Sequence, residues 1–109
     1  MKKIEAIIRP EKVNTVILAL EAAGDLGVTV YEVAGHGRQR GFARQNDQVE
    51  LRPKVMLVTV VKDSNVDKIV KTIMDTASTN KVGDGKIFVT DLQDAVRIRT
   101  KERGEKAIG

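Results

Sequence analysis

Residues 2–23 read KKIEAIIRPEKVNTVILALEAA, and their apolar residues follow two different spacings, one after the other. In residues 2–9 apolar and charged side chains alternate, which predicts a half-buried β-strand. After Pro10 the apolar residues recur at three- and four-residue spacing, which predicts an amphipathic helix over residues 11–23 that ends before Gly24. The stretch is therefore typical of a strand followed directly by a helix.

The same order of elements returns in the rest of the chain. Residues 27–34 alternate again and predict a second strand. The almost continuous apolar run at residues 55–61 predicts a third strand, one that is central in the sheet or covered on both faces. Residues 86–89 predict a fourth strand and residues 96–99 a short fifth one, whereas the charged tail over residues 101–109 is expected to be flexible.

A second helix repeats the spacing of the first 53 positions later, and Asp63 or Ser64 is expected to cap it. The corresponding positions are Val13 and Val66, Val16 and Ile69, Ile17 and Val70, and Leu20 and Ile73. Two such halves in a single domain of residues 1–109 predict an α+β fold, the ferredoxin-like double β-α-β sandwich. In this fold one antiparallel sheet carries two helices on one face.

The sheet face opposite the helices is predicted to be apolar as well. Ile7, Val58 and Val60 would lie on that face, and a patch of such side chains is too apolar to remain in water. We therefore expect a homo-oligomer whose sheets face inward.

A polar segment separates the two halves. Residues 36–54 show no apolar periodicity, so we predict a long loop over about residues 37–54, between strands 2 and 3. A loop of this length in a compact domain is usually functional, and a solvated hairpin extension is the simpler alternative.

Composition narrows the possible chemistry. The chain has no Cys and a single His, His36, which excludes disulfides, cysteine nucleophiles and a His-based metal cluster within one chain. Three aromatic residues are too few for a base-stacking surface, so nucleic acid is not an expected partner. The sequence contains no apolar run of about 20 residues, so we expect a cytoplasmic protein without direct membrane insertion. The net charge of +4 favours anionic partners.

Three short segments could bind an anion, and each also has a purely structural explanation. Residues 35–41, GHGRQRG, combine arginines with glycines that let a backbone approach an anion, but they could equally be a glycine turn. Residues 82–86, VGDGK, match no Walker A loop and could be a tight turn before a strand. On a strand Arg97 and Arg99 would share one face about 7 Å apart, where they could hold a phosphate chain or form surface ion pairs.

The sequence offers no convincing set of catalytic residues. A Ser-His-Asp set is not credible with His36 alone, and the carboxylates form no evident pair. We therefore expect a binding protein and not an enzyme.

Together, these segments resemble the PII nitrogen-regulatory signal-transduction family over nearly the whole chain. The stretches that carry the resemblance are MKKIEAIIRP (residues 1–10), GVTVYEV (27–33), GHGRQRG (35–41), RPKV (52–55), KVGDGKIF (81–88) and VRIRT (96–100). The resemblance implies a homotrimer that binds ATP or ADP, Mg²⁺ and 2-oxoglutarate in clefts between subunits. It further implies that the loop, called the T-loop in this family, changes shape and controls a target protein.

The resemblance also implies the residues of the site. Ile7, Thr29 and the backbone near Val60 would surround the adenine. The phosphates would be held by Gly37, Arg38, Gly85, Lys86, Arg97 and Arg99. Gln39 would coordinate Mg²⁺, and Lys54 would meet the distal carboxylate of 2-oxoglutarate. The remaining members of the predicted cofactor-binding set are Gly35, Gly41, Gly83 and Asp84.

Two departures from the family pattern bear on function. The loop is shorter than in common PII proteins and has neither Tyr nor Ser between residues 41 and 54, so we expect no uridylylation or serine phosphorylation there. Val58 stands where many relatives have Glu. The short loop is similar to that of the nitrogenase-associated type of this family.

The target implied by the resemblance is therefore a nitrogenase component, glutamine synthetase, an ammonium transporter or a regulator. The alternatives are an adenine-nucleotide sensor without a 2-oxoglutarate response and a weak ATPase.

Overall fold

The computed structural model of the chain describes residues 1–37 and 49–109. In this part of the chain the strands are β1 (Lys2–Ile8), β2 (Val28–Gly35), β3 (Arg52–Val61) and β4 (Lys86–Asp91). The α-helices are α1 (Val13–Ala22) and α2 (Val66–Ala77), and short 3₁₀ helices span Pro10–Lys12, Asp63–Asn65 and Gly104–Ala107. The first four strands and both helices predicted from the sequence are present, with small shifts at their ends.

The strands form one antiparallel sheet in the order β2-β3-β1-β4. β1 lies inside this sheet, where Ile7 pairs with Met56 of β3 on one side and with Lys86 of β4 on the other. This strand order interleaves the two β-α-β halves, so the predicted α+β, ferredoxin-like fold is confirmed.

The hydrophobic core lies between the sheet and the two helices. Every second side chain of β1 enters it, namely Ile4, Ala6 and Ile8. The other buried members are Val16, Leu20, Val55, Leu57, Val61, Ile69, Ile73 and Ala77. Burying a Val, Leu or Ile side chain contributes about 1.5–3 kcal/mol. The alternation in β1 and β3 therefore decides which sheet face the helices cover.

The opposite sheet face is also apolar, as predicted. Ile7, Val58 and Val60 are partly buried on this face, and Tyr31 and Phe88 are 48% and 47% exposed. Tyr31 and Ile7 flank Met56 in one row of paired residues across the sheet. The placement of these side chains is confirmed, and the homo-oligomer itself stays a prediction.

The start of α2 differs from the predicted cap. A 3₁₀ turn at Asp63–Asn65 precedes the helix, and no side chain caps it. The Asn65 N–H donates to the carbonyl of Lys62 at 2.9 Å, and the Asp63 carboxylate pairs with the amino group of Met1 at 3.0 Å. The prediction that Asp63 or Ser64 caps the helix is therefore wrong, because the backbone turn and the ion pair replace the cap.

The predicted fifth strand is also wrong. Val96 forms only an isolated bridge with Arg103, and residues 98–100 form a turn. The chain reverses there because Lys101 adopts a left-handed φ of 64° and donates its N–H to the carbonyl of Arg97 at 2.7 Å. The tail that follows, predicted to be flexible, contains the 3₁₀ helix Gly104–Ala107 and folds back onto Arg97.

Neither α-helix in the described part of the chain has the length and apolar character needed to cross a membrane.

Candidate functional site

Seven of the predicted ligand residues line two separate clefts at opposite edges of the sheet. The first, here the β4 cleft, has a volume of about 910 Å³ and is formed by β1, β4 and α2. It is lined by Ile7, Asp84, Gly85 and Lys86 of the predicted set. The second, here the tail cleft, has a volume of about 500 Å³ and is formed by β2, β3 and the tail. It is lined by Thr29, Val60 and Arg97 of the predicted set.

The β4 cleft owes its shape to a glycine loop that precedes β4. Gly83 and Gly85 have φ values of 103° and 100°, which L side chains rarely adopt. A Cβ atom on Gly85 would lie 1.7 Å from the carbonyl oxygen of Ile7. Glycine at position 85 therefore lets the loop lie directly against β1 and brings Lys86 into register with Ile7.

Asp84 connects this loop to Arg9 and to Thr79 through hydrogen bonds. Its carboxylate accepts hydrogen bonds from Arg9 Nε at 3.0 Å, from the Thr79 N–H at 2.7 Å and from the Thr79 hydroxyl. Burial raises the pKa of Asp84, but the hydrogen bonds from Thr79 and Arg9 outweigh it and hold the pKa well below its usual range. Asp84 is therefore an ionised anchor of the loop, committed to protein donors.

Lys54 connects β3 to the same loop. Its Nζ donates to the carbonyl of Gly83 at 2.6 Å. Burial lowers the pKa of Lys54, and the neighbouring cations Arg9 and Arg52 lower it further. Glu11 and Asp84 act in the opposite direction, so Lys54 lies among charges of both signs.

The tail cleft rests on a buried contact that sequence reasoning missed. Thr59 is 1% exposed, and its hydroxyl lies 2.6 Å from Asp25 Oδ2 and 3.3 Å from the carbonyl of Gly27. Thr59 thereby fixes the turn after α1, which lines the cleft together with Val58 and Val60. The sequence did contain a signal for this contact, namely a threonine within an apolar strand, because a buried hydroxyl needs a hydrogen-bond partner.

The two arginines predicted to bind phosphate are placed differently. Arg97 lines the tail cleft, and its guanidinium donates to the Glu102 carboxylate at 3.0 Å and to the carbonyl of Gly109 at 2.9 Å. Arg99 is exposed in the turn over residues 98–100 and is not among the residues that line either cleft. The prediction that both share one strand face is wrong, because the chain turns between them.

The remaining predicted residues lie near the start of the loop. Gly35 ends β2 opposite Arg52, and Gly37 is exposed. Arg38, Gln39 and Gly41, and with them the predicted Mg²⁺ ligand, lie outside the described residues. Within residues 1–37 and 49–109, no group of three or more His, Asp or Glu side chains could hold a metal ion.

Comparison with known proteins assigns the chain to a family. The family model for nitrogen regulatory protein P-II matches residues 1–102. The chain is 49% identical to nitrogen regulatory protein P-II 2 of Methanothermobacter thermautotrophicus, over 99% of this chain and 97% of that protein. It is 48% and 46% identical to nitrogen regulatory protein P-II of Pasteurella multocida and of Rhodobacter capsulatus, in both cases over 99% of this chain and 100% of the relative. The chain therefore belongs to the nitrogen regulatory protein P-II family.

Proposed function

We propose that this P-II protein is a homotrimeric sensor of adenine nucleotides and 2-oxoglutarate that regulates a target protein of nitrogen metabolism. Family membership assigns it a nitrogen-regulatory signalling role, and its relatives are named as regulatory proteins. The observation that supports a trimeric ligand sensor is the position of the two clefts at opposite edges of one sheet.

Two half-sites at opposite sheet edges cannot form one site within a single chain. A head-to-tail contact, however, would place the β4 cleft of one copy against the tail cleft of the next, and repetition of that contact closes a ring. A two-fold dimer would not do so, because it joins identical surfaces. The apolar sheet face around Ile7, Val58 and Val60 supports a ring in which the sheets face inward.

The chemistry of the joined clefts suits a nucleotide. The tail cleft would supply apolar contact from Val58 and Val60 to a base, together with the guanidinium of Arg97. The β4 cleft would supply the Lys86 ammonium and a backbone that comes close because of Gly85. Phosphates would lie between these cations, where charge-assisted hydrogen bonds are strong. ATP and ADP would compete for this position.

A second anion would bind beside the first. Lys54 lies next to the Gly83 carbonyl, near the cations Arg9 and Arg52, and would meet the far carboxylate of 2-oxoglutarate. Mg²⁺ prefers oxygen ligands, and Gln39 and the ATP phosphates would provide them. Mg-ATP would thus build part of the 2-oxoglutarate site, so the two ligands would bind with positive and reciprocal coupling.

The output of the sensor would be the segment that joins β2 to β3, residues 36–51. A ligand that prefers one loop conformation shifts the loop population by its differential affinity, and no covalent chemistry is required. The target would be a nitrogenase component, glutamine synthetase, an ammonium transporter or a regulator.

Mixed trimers test whether the nucleotide site is shared between copies. In a trimer of Lys86→Ala and Arg97→Ala subunits, one cleft combines the intact Arg97 of the first variant with the intact Lys86 of the second. We therefore expect mixed trimers, separated by differently sized tags and measured by native mass spectrometry, to bind one ATP much more tightly than either pure variant trimer. Mixed trimers that bind no better than the pure ones would contradict a shared cleft, and a monomer at micromolar concentration would contradict the trimer.

A further inference from the structure

The tail over residues 102–109 is hydrogen-bonded to Arg97, the only arginine among the described residues that line the tail cleft. Arg97 Nη1 donates to the Glu102 carboxylate at 3.0 Å. Arg97 Nη2 donates to the carbonyl of Gly109 at 2.9 Å and to that of Ala107 at 3.5 Å. The guanidinium is therefore clamped from two sides by one short segment.

The same segment is a wall of the cleft. Ala107, Ile108 and Gly109 line it together with Thr29 and Val60. The segment is held in place by its own contacts, since the Gly104 N–H donates to the Ala95 carbonyl at 3.0 Å and the Arg97 N–H to the Glu102 carbonyl at 2.9 Å. Arg97 and the wall of the cleft therefore adopt their positions together.

We propose that Glu102 is a positioning residue for nucleotide binding. It aims Arg97 into the cleft, and docking of the tail and binding of nucleotide favour each other. This inference rests on the proposed nucleotide site. It adds that the tail holds Arg97 in position before the nucleotide binds. An arginine side chain loses much conformational freedom when it binds a phosphate. An arginine that is already held by Glu102 and by backbone carbonyls has lost that freedom beforehand, so binding costs less.

Glu102 could instead be a competitor that occupies Arg97 until phosphate displaces it. The hydrogen-bonding pattern favours the positioning role. A guanidinium has five N–H donors, and the tail engages Nη1 and Nη2, so the Nε–H is not used by the tail. A phosphate can therefore bind Arg97 while the tail stays in place. The two roles predict opposite signs for the effect of removing Glu102.

The experiment compares two charge deletions in the same tail. Glu102→Ala removes the partner of Arg97, whereas Glu105→Ala removes an equal charge from an exposed side chain of the same tail. Calorimetric titration of the intact protein with ATP is expected to show at least about threefold weaker binding for Glu102→Ala than for Glu105→Ala. Glu102→Gln, whose amide oxygen still accepts a hydrogen bond from Nη1, should recover most of the affinity.

Hydrogen exchange of the tail amides gives a second readout that does not depend on a variant. ATP should slow exchange in residues 102–109 of the wild-type protein, because linkage is reciprocal. Unchanged exchange would overturn the inference even if Glu102→Ala failed to fold. Equal ATP affinities of the two alanine variants, or tighter binding by Glu102→Ala, would also overturn it while leaving the nucleotide site intact. A wild-type protein that binds neither ATP nor ADP would instead reject the proposed function, and this inference with it.

Discussion

Gly85 and Ile7 are in backbone contact so close that no side chain fits between them. A Cβ atom on Gly85 would lie 1.7 Å from the Ile7 carbonyl oxygen and 2.7 Å from its carbonyl carbon. The glycine loop is therefore pressed against β1, and through this contact the sheet itself sets the depth of the β4 cleft.

Gly85→Ala is expected to destabilise the protein by about 2–4 kcal/mol, because a left-handed φ and a clash with backbone atoms add together. Gly24→Ala is the matched control, since Gly24 has a similar φ of 92° but nothing within 4 Å of its Cβ position. It should lose only about 1 kcal/mol. Urea denaturation of both variants measures the difference. Equal losses would mean that the loop retreats from β1 at little cost.

Asp84 should make stability depend on acid pH. The pKa of its carboxyl is lower in the folded protein than the ordinary value of 3.8, in spite of burial, because Thr79 and Arg9 bind the charged form. A depressed folded pKa contributes stability above the unfolded pKa, and this contribution declines gradually as the pH falls from about 4 towards the much lower folded pKa. The urea midpoints of wild type and Asp84→Asn should therefore differ most at pH 7 and less at pH 3, where part of the contribution remains.

Asp75→Asn is the control for that measurement, because Asp75 pairs with Lys71 on the exposed face of α2. Its midpoint should follow the wild-type midpoint at both pH values, since exposed ion pairs contribute little. If Asp84→Asn and wild type differed equally at pH 7 and pH 3, the charge of Asp84 would not be what holds the loop.

Thr59→Val should cost about 1.5–3 kcal/mol, because Asp25 loses a hydrogen bond at 2.6 Å while the side-chain volume hardly changes. Thr59→Ser keeps the hydroxyl and should restore most of that bond, although it leaves a small cavity. Urea denaturation again gives the comparison. A serine variant no more stable than the valine variant would show that the hydroxyl does not fix the turn after α1.

The fold could be predicted because its signals are local. The alternation at residues 2–9 and the helical spacing after Pro10 each lie within one element, and the same pattern occurs twice. The alternation over residues 96–99 is just as regular, yet it is too short to outweigh the chain reversal at Lys101. Four residues with period two do not by themselves specify a strand.

The site could be predicted only in part, for a physical reason. Lys86 and Arg97 were evident as cations beside glycine or strand residues. The contacts that hold such cations in place are not evident, because they join distant positions: Arg9 meets Asp84 across 75 positions. Arg97 and Glu102 are close in sequence, but they pair only because the chain turns at residues 98–100, where the sequence predicted a strand.

The last prediction concerns Lys54 and decides whether this protein responds to 2-oxoglutarate. Lys54→Gln keeps an N–H donor for the Gly83 carbonyl but removes the charge, so it should retain ATP binding and lose 2-oxoglutarate binding by about tenfold or more. Calorimetry with 2-oxoglutarate at saturating Mg-ATP measures this, and Lys62→Gln, at an exposed position directly after β3, is the control. Burial and the cations Arg9 and Arg52 lower the pKa of Lys54, so Lys54 should lose its proton at a lower pH than an ordinary lysine does. As the pH rises, 2-oxoglutarate binding should therefore weaken at that lower pH. Wild-type protein that gives no 2-oxoglutarate heat at millimolar ligand would reduce the sensor to one of ATP and ADP alone. A Lys54→Gln variant that binds 2-oxoglutarate as tightly as wild type would place the carboxylate elsewhere.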